Sequence, residues 1–460
     1  MIRLRCVPPT IRATAAVAAL LLALLVPDAV AQESAMRARP SPPSTEATLG
    51  VEDAIRIALE RNHRIRIARI NAEIARNRTG YGTAGFLPTL DASGSVSLAE
   101  SRQETNSPFS FGNSNTAGWS GQLALNWTLF DGFRMFAEAR RYDELAELGT
   151  QQARAAIEQT VVSVLRSYLQ SVQQQQLLGV LEEALAISRL RFERAGVRRD
   201  LGGSVSDYLN AQIAFHNDSS AVLSQRLALE IAQRELNLEL GREATTPLRV
   251  ADEPVPEALL PDLDELIAMA LERNADLRTA EQTLRAAESS VRVSRSAFFP
   301  RLSLFANYGY SDRTVASSSP RFTEDIRTQS ADAAVGLNLS LNLFNGFRSA
   351  TDTEQAELER RTSAIALEET QMRIEGLLRE QYLTMETRKL TLALEEANLT
   401  AARRNLDLQL ERFETATVTS LEFRDAQLQY VRAEIAVIVA RFQVRISRLE
   451  LQRLAGEIRI

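Results

Sequence analysis

The chain has 460 residues, with 53 Lys and Arg against 59 Asp and Glu and a formal charge of −6, a balance that argues against a nucleic-acid partner. Cys6 is the only cysteine, which excludes an intrachain disulfide and a thiolate metal site.

Residues 1–31 read as a signal peptide. Arg3, Arg5 and Arg12 form a charged start, and Ala13 to Val26 is an apolar run of 14 residues, too short for a membrane span. Ala29-Val30-Ala31 then supplies a small-x-small cleavage site, so the mature chain begins near Gln32 and is exported. Loss of three Arg and one Asp leaves it at −8. Cys6 precedes the apolar run and is misplaced for a lipid anchor, so none is expected. Residues 32–47 read as an extended segment. No later run is apolar and long enough for a transmembrane helix, so contact with a membrane is made by strands or not at all.

A helix is expected over about 50–85, followed by a strand from Leu87 to Leu98, a polar loop from Ser101 to Gly118 and a strand from Trp119 to Leu129. In the second strand Trp119, Leu123, Leu125, Trp127 and Leu129 alternate with Ser120, Gln122, Asn126 and Thr128. Strict period two puts one face in an apolar medium and the other in water. Trp119 and Trp127 are candidate membrane-interface aromatics. Eight residues apart, they span roughly 26 Å along a strand and about 20 Å after tilting, against a lipid-facing band of about 25 Å. Long helices are predicted over 132–198 and 205–241; some 65 helical residues reach about 95–100 Å, the length of a rod. Residues 242–261 carry Pro247, Pro254, Pro256 and Pro261 and read as a linker. The plan then recurs: a helix over 262–297, strands Leu302 to Tyr310 and Val335 to Leu343 around a loop from Ser311 to Ser330, and helices over 347–415 and 419–456. Val335, Leu337, Leu339, Leu341 and Leu343 share one face of the last strand, whereas the first and third strands alternate less cleanly.

The recurrence is literal. Ala58-Leu59-Glu60-Arg61-Asn62 returns as Ala270-Leu271-Glu272-Arg273-Asn274, and Phe86-Leu87-Pro88 as Phe298-Phe299-Pro300. Leu129-Phe130-Asp131-Gly132-Phe133 returns as Leu343-Phe344-Asn345-Gly346-Phe347, and Ala211-Gln212 as Ala426-Gln427. Matches in order at near-constant offset define two tandem copies, 48–241 and 262–456.

The long helices carry heptads: Leu421, Leu428, Ile435, Phe442 and Leu449; Tyr430, Val437, Val444 and Leu451; Phe215, Val222, Leu229 and Leu236; Leu392, Leu399, Leu406 and Phe413. A seven-residue spacing keeps a seam facing its partner only under left-handed supercoiling, and two seams per helix suit a cylindrical wall better than an isolated pair, with an ordinary antiparallel bundle as the alternative on the helices alone. Four strands cannot close a barrel, for which about eight is the minimum, and open edges are not tolerated in lipid. The expected fold is therefore mainly α with a small β part: long coiled helices forming an α-barrel, and four strands per chain entering a trimeric, 12-stranded β-barrel.

This ordered set of motifs resembles the TolC-type outer-membrane efflux proteins over nearly all of the mature chain. The resemblance implies a homotrimer in outer-membrane lipid with a periplasmic helical barrel, completed by a periplasmic adaptor and an inner-membrane transporter. It implies a gate at the helical tip, with pore-narrowing carboxylates at Glu422 and Asp425 and an inner-turn Asp at Asp207. Rings of carboxylates make a cation filter. The adaptor would meet the tip turns, Leu201-Gly202-Gly203-Ser204 and Thr417-Val418-Thr419-Ser420. The Tyr and Arg that hold the family's gate shut fall on Phe413 and Val418, so that latch does not carry over. Copy one's turn is six residues longer, counting Phe192–Ala211 against Phe413–Ala426. Its Arg198, Arg199 and Asp200 are candidates to replace the latch by pairing with Glu422 or Asp425; the alternative is that the extra turn lengthens a groove for the adaptor.

Other constellations read as structural. Glu60-Arg61-Asn62-His63 has the Glu-x-x-His spacing of di-iron bundles, but the repeat-mate of His63 is Ala275. His216 has no His or Cys cluster around it, Asp207 and Asp218 read as surface carboxylates, and Gln173 to Gln176 as a solvated face. No cofactor, metal or catalytic residue is expected. The function expected is passive export of small toxic compounds in a tripartite pump. A type I protein-secretion channel is the alternative, and a trimeric coiled-coil surface protein is the rival from another class.

Overall fold

The computed structural model describes residues 48–102, 113–252, 261–317, 324–415 and 417–458. The signal peptide, the segment 32–47 and part of the 242–261 linker lie outside them. The elements are α1 (Val51–Arg61), α2 (His63–Asn77), β1 (Thr89–Ser101), β2 (Ser114–Asp131), α3 (Arg134–Asp200), α4 (Val205–Glu239), α5 (Leu263–Arg273), α6 (Ala275–Arg295), β3 (Arg301–Ser317), β4 (Ile326–Ser340), α7 (Arg348–Glu414) and α8 (Ser420–Ala455). Both α3 and α7 have 67 residues, or about 100 Å.

The leading helix of each copy is two helices, not one. Asn62 and Asn274 break it in the same way. The Asn62 side chain accepts from the amides of Arg64 and Ile65, and its Nδ2 donates to Glu239 O at 2.6 Å. The Asn274 side chain accepts from Asp276 and Leu277, and its Nδ2 donates to Leu454 O at 2.9 Å. Each asparagine thus starts one helix while holding the end of the last helix of its own copy. Gly241 and Gly456 follow those ends at φ +68° and +73°; a Cβ on Gly241 would lie 2.5 Å from Arg61 O, and one on Gly456 2.8 Å from Arg273 C. Only glycine tolerates both demands.

The sheet is antiparallel in the order β1-β2-β3-β4, with β1 and β4 at its edges. The register makes all four strands two-faced. Leu90–Leu125–Ala306–Val335, Ala92–Leu123–Tyr308–Ala333 and Gly94–Gly121–Tyr310–Ala331 are successive rows of one face. Trp127, Leu304 and Leu337 continue it. The other face carries Ser95 and Ser120, whose hydroxyls lie 2.8 Å apart, and Ser311 and Ser330, at 2.9 Å. Leu123 is 47% exposed, Leu337 62% and Leu339 69%, so the apolar face is uncovered by the chain itself. A bulge between Thr128 and Phe130 takes Leu129 out of register.

Each sheet-to-helix turn has two successive left-handed residues, Gly132 and Phe133, then Gly346 and Phe347. Asp131 Oδ1 accepts from Met135 N at 3.1 Å, and Asn345 Oδ1 from Ser349 N at 3.4 Å. The recurring Leu-Phe-Asp/Asn-Gly-Phe string is this turn. A left-handed phenylalanine is strained, and the flanking side-chain bond and aromatic contacts hold it there.

The main core gathers on α3, where Val161, Val164, Tyr168, Leu169 and Val172 meet Leu236 of α4 and Phe442 of α8. A second core joins α5 and α6 to α7 and α8 through Ile374, Leu378, Met385 and Leu451. The residues after Thr246 run alongside Leu49, and the Tyr168 hydroxyl donates to Ala251 O at 2.6 Å. The Gln173–Gln176 run is not a simply solvated face: Gln174 accepts from Gln225, and Gln176 donates to Asp252.

Candidate functional site

The two helical hairpins end in turns built from different capping chemistry. In copy one, α3 runs to Asp200, so Arg198, Arg199 and Asp200 lie in its last helical turn and not in a loop. Leu201 caps the helix, Gly202 is left-handed at φ +91°, Gly202 N donates to Arg199 O and Gly203 N donates to Arg198 O at 2.8 Å. This pair of bonds is a Schellman closure, which satisfies carbonyls that the helix end leaves open. Ser204 then starts α4, its hydroxyl accepting from Asp207 N at 3.2 Å.

In copy two, Thr419 starts α8 through a capping box. Glu422 N donates to the Thr419 hydroxyl at 3.3 Å, and Glu422 Oε2 accepts from Thr419 N at 2.7 Å. Glu422 and Asp207 therefore occupy the same position, third in their helices. The bond from the Thr419 amide, then that from its hydroxyl, holds the Glu422 carboxyl below its ordinary range. Glu422 and Asp425 line an open groove of about 500 Å³ with Asn405, Gln409, Leu421 and Ala426. Leu421, first of its heptad series, is 74% exposed there, unlike buried Phe442 and Leu449 further along. Asp207 lies on the other hairpin and does not line this groove.

The pairing expected of Arg198 or Arg199 with Glu422 or Asp425 does not form within the chain. Arg199 donates to its neighbour Asp200 at 2.7 Å, and its guanidinium lies 4.1 Å from the centre of the Tyr208 ring. Glu422 is turned to Thr419, and Asp425 accepts from Gln429 at 2.7 Å. Arg199, Glu422 and Asp425 each have a nearer partner on their own hairpin.

What joins the hairpins is a cluster whose roles the sequence did not reveal. Arg424 on α8 grips Asp218 on α4 with both arms, at 2.7 and 2.9 Å. Their side chains are 13% and 14% exposed, so Asp218 is not the surface carboxylate expected of it. Arg191 on α3 donates to Ser420 O at 2.9 Å and Ser420 Oγ at 2.6 Å, with its guanidinium over the Phe423 ring. Phe192 stacks on Phe215 at 5.5 Å, and Phe413 on Phe423 at 5.2 Å. A stacked aromatic pair thus closes each hairpin just behind the tip, and one largely buried ion pair joins the two. Heptad spacing marks seams; it does not show which polar residue a neighbouring helix will cover.

At the other end, Trp119 packs on Tyr310 at 5.2 Å, and Trp127 Nε1 donates to Phe86 O at 2.9 Å. The two indoles bracket the apolar rows of the sheet.

A family model described as outer membrane efflux protein matches residues 54–242 and 266–457. Outer membrane protein OprJ of Pseudomonas aeruginosa is 27% identical over 417 residues, covering 87% of this chain and 82% of OprJ. Alkaline protease secretion protein AprF of the same organism is 25% identical over 327 residues, covering 67% of this chain and 64% of AprF. The crystal structure of the CmeC outer membrane channel of Campylobacter jejuni superposes with a TM-score of 0.71 at 16% identity, over 88% of this chain and 85% of CmeC. That likeness is one of fold.

Proposed function

The chain belongs to the outer membrane efflux protein family, and on that premise we propose that three copies form a passive conduit through the outer membrane and across the periplasm. The observation that carries this is the sheet: four strands, one continuous apolar face, and the outer edges of β1 and β4 unpaired among the described residues. Lipid offers no hydrogen bonds to such edges. Three sheets joined β4 to β1 leave none open, with the serine-rich face turned to a water-filled lumen. The exposed apolar residues of α7, among them Leu358, Ile365 and Met372 seven apart, suit burial against a neighbouring copy.

The cargo is small toxic compounds, in keeping with the family's efflux character. A periplasmic adaptor meets the tip turns 201–204 and 417–420, and an inner-membrane transporter supplies the energy. Glu422, Asp425 and Asp207 ring the pore entrance as a cation filter. The gate is held by the Asp218–Arg424 pair and Arg191, in place of Arg198, Arg199 and Asp200. Similarity to AprF favours protein secretion as the second reading.

Light scattering of the detergent-solubilised protein, with detergent subtracted, tests the assembly. A mass of three mature chains is expected; a stable folded monomer overturns the shared barrel and the conduit with it.

A further inference from the structure

The cluster behind the tip leaves two buried donors unanswered. Gln427 is 1% exposed, and its Oε1 accepts from Arg424 Nη1 at 3.3 Å. Because a guanidinium only donates, that contact fixes the orientation of the amide and turns Nε2 away. Gln427 Nε2 is buried with no hydrogen-bond partner. Arg191 Nη1 is likewise buried and unpartnered, although Nη2 serves Ser420 twice. Both orphans are donors, and each costs free energy until it finds an acceptor.

Charge is unbalanced in the same sense. Arg191 and Arg424 face one carboxylate, Asp218, and Arg424 takes both of its oxygens. Burial first, and the charge of Arg424 second, lower the pKa of Arg191 from its ordinary value. A water molecule would accept the orphaned hydrogens and leave the surplus positive charge in place. An anion answers both demands.

We propose that a small monovalent inorganic anion, chloride in physiological media, binds between Arg191 and Gln427 where the two hairpins meet. A single surplus charge calls for a monovalent ion, and the packing of α3 against α8 calls for a small one. The ion would tie α3 to α8 beside the Asp218–Arg424 pair; its bearing on the gate rests on the conduit reading, but its binding does not.

The test is thermal melting of the solubilised full chain in sodium chloride and in sodium isethionate at equal ionic strength, with crystals grown in bromide. Chloride should raise the melting temperature of the wild type by a few degrees over isethionate. Arg191→Gln and Gln427→Leu should each abolish that difference. Should Gln427→Leu fail to fold, Gln427→Glu places a carboxylate at the same point and should melt alike in both salts. An anomalous bromide peak should lie within hydrogen-bond distance of Arg191 and Gln427. Equal melting of the wild type in both salts overturns the proposal, as does a carboxylate of a neighbouring chain in that position. Light scattering on the same samples reports the oligomer separately, so loss of the anion site and loss of the shared barrel are told apart.

Discussion

At the scale of single residues, the tip is governed by what is covered. Glu422, Asp425, Arg199 and Asp200 are charged, local in their bonding and solvated, and their one ion pair, Arg199 with Asp200, contributes little. Asp218 and Arg424 are charged and largely buried, and removing one partner leaves the other without compensation, at a cost of about 3–5 kcal/mol. Asp218→Asn is therefore expected to lower the melting temperature and, in planar bilayers, to raise the open probability of the channel. The exchanged double variant Asp218→Arg with Arg424→Asp should recover part of the closed state. Bilayer records that stay at wild-type conductance in Asp218→Asn would remove the pair from the gate.

At the scale of elements, the two copies reuse one joint. Asn62 with Gly241, and Asn274 with Gly456, lock the short leading helices onto the end of each coiled hairpin. An N-cap asparagine contributes about 1 kcal/mol, and here its amide also serves a helix-end carbonyl. Asn62→Ala and Asn274→Ala are each expected to destabilise by about 1–2 kcal/mol, read in denaturant melts, and to do so additively because the joints are separate. A pair of effects near zero would mean that packing alone sets the break. The Schellman turn of copy one and the capping box of copy two show the opposite behaviour: related hairpins have diverged at the tip while their joints have not.

At the scale of the whole molecule, the open edges decide the assembly. Ala92 on β1 and Ala333 on β4 lie in one apolar row at opposite edges of the sheet. Cys6 is the chain's only native cysteine and falls in the expected leader, which leaves a clean background for new thiols. In the double variant Ala92→Cys with Ala333→Cys, a short bis-maleimide should link chains into covalent trimers in membranes. Products no larger than a monomer would show that β1 and β4 of different chains do not meet.

Much of this protein was legible in its sequence because its signals are periodic or repeated. Heptads mark Val222, Leu236, Phe442 and Leu451 as seam residues, and all four are buried. Period two marks β2 and the second half of β4, although Leu341 and Leu343 lie past the strand's end at Ser340, and the recurring Leu-Phe-Asp/Asn-Gly-Phe and Ala-Leu-Glu-Arg-Asn strings mark the copies. The break at Asn62 was not legible, because a capping asparagine inside an apolar pattern looks like any polar helix residue until the chain end it holds is known. The faces of β1 and β3 were blurred by small residues such as Ala92, Gly94 and Ala306, whose side is given only by the partners they pair with. The clamp of Arg191, Asp218 and Arg424 joins residues more than two hundred positions apart. A linear pattern records which faces are apolar; only tertiary packing selects the few charges that are removed from water, and with them where an ion pair holds and where a charge is left to be answered.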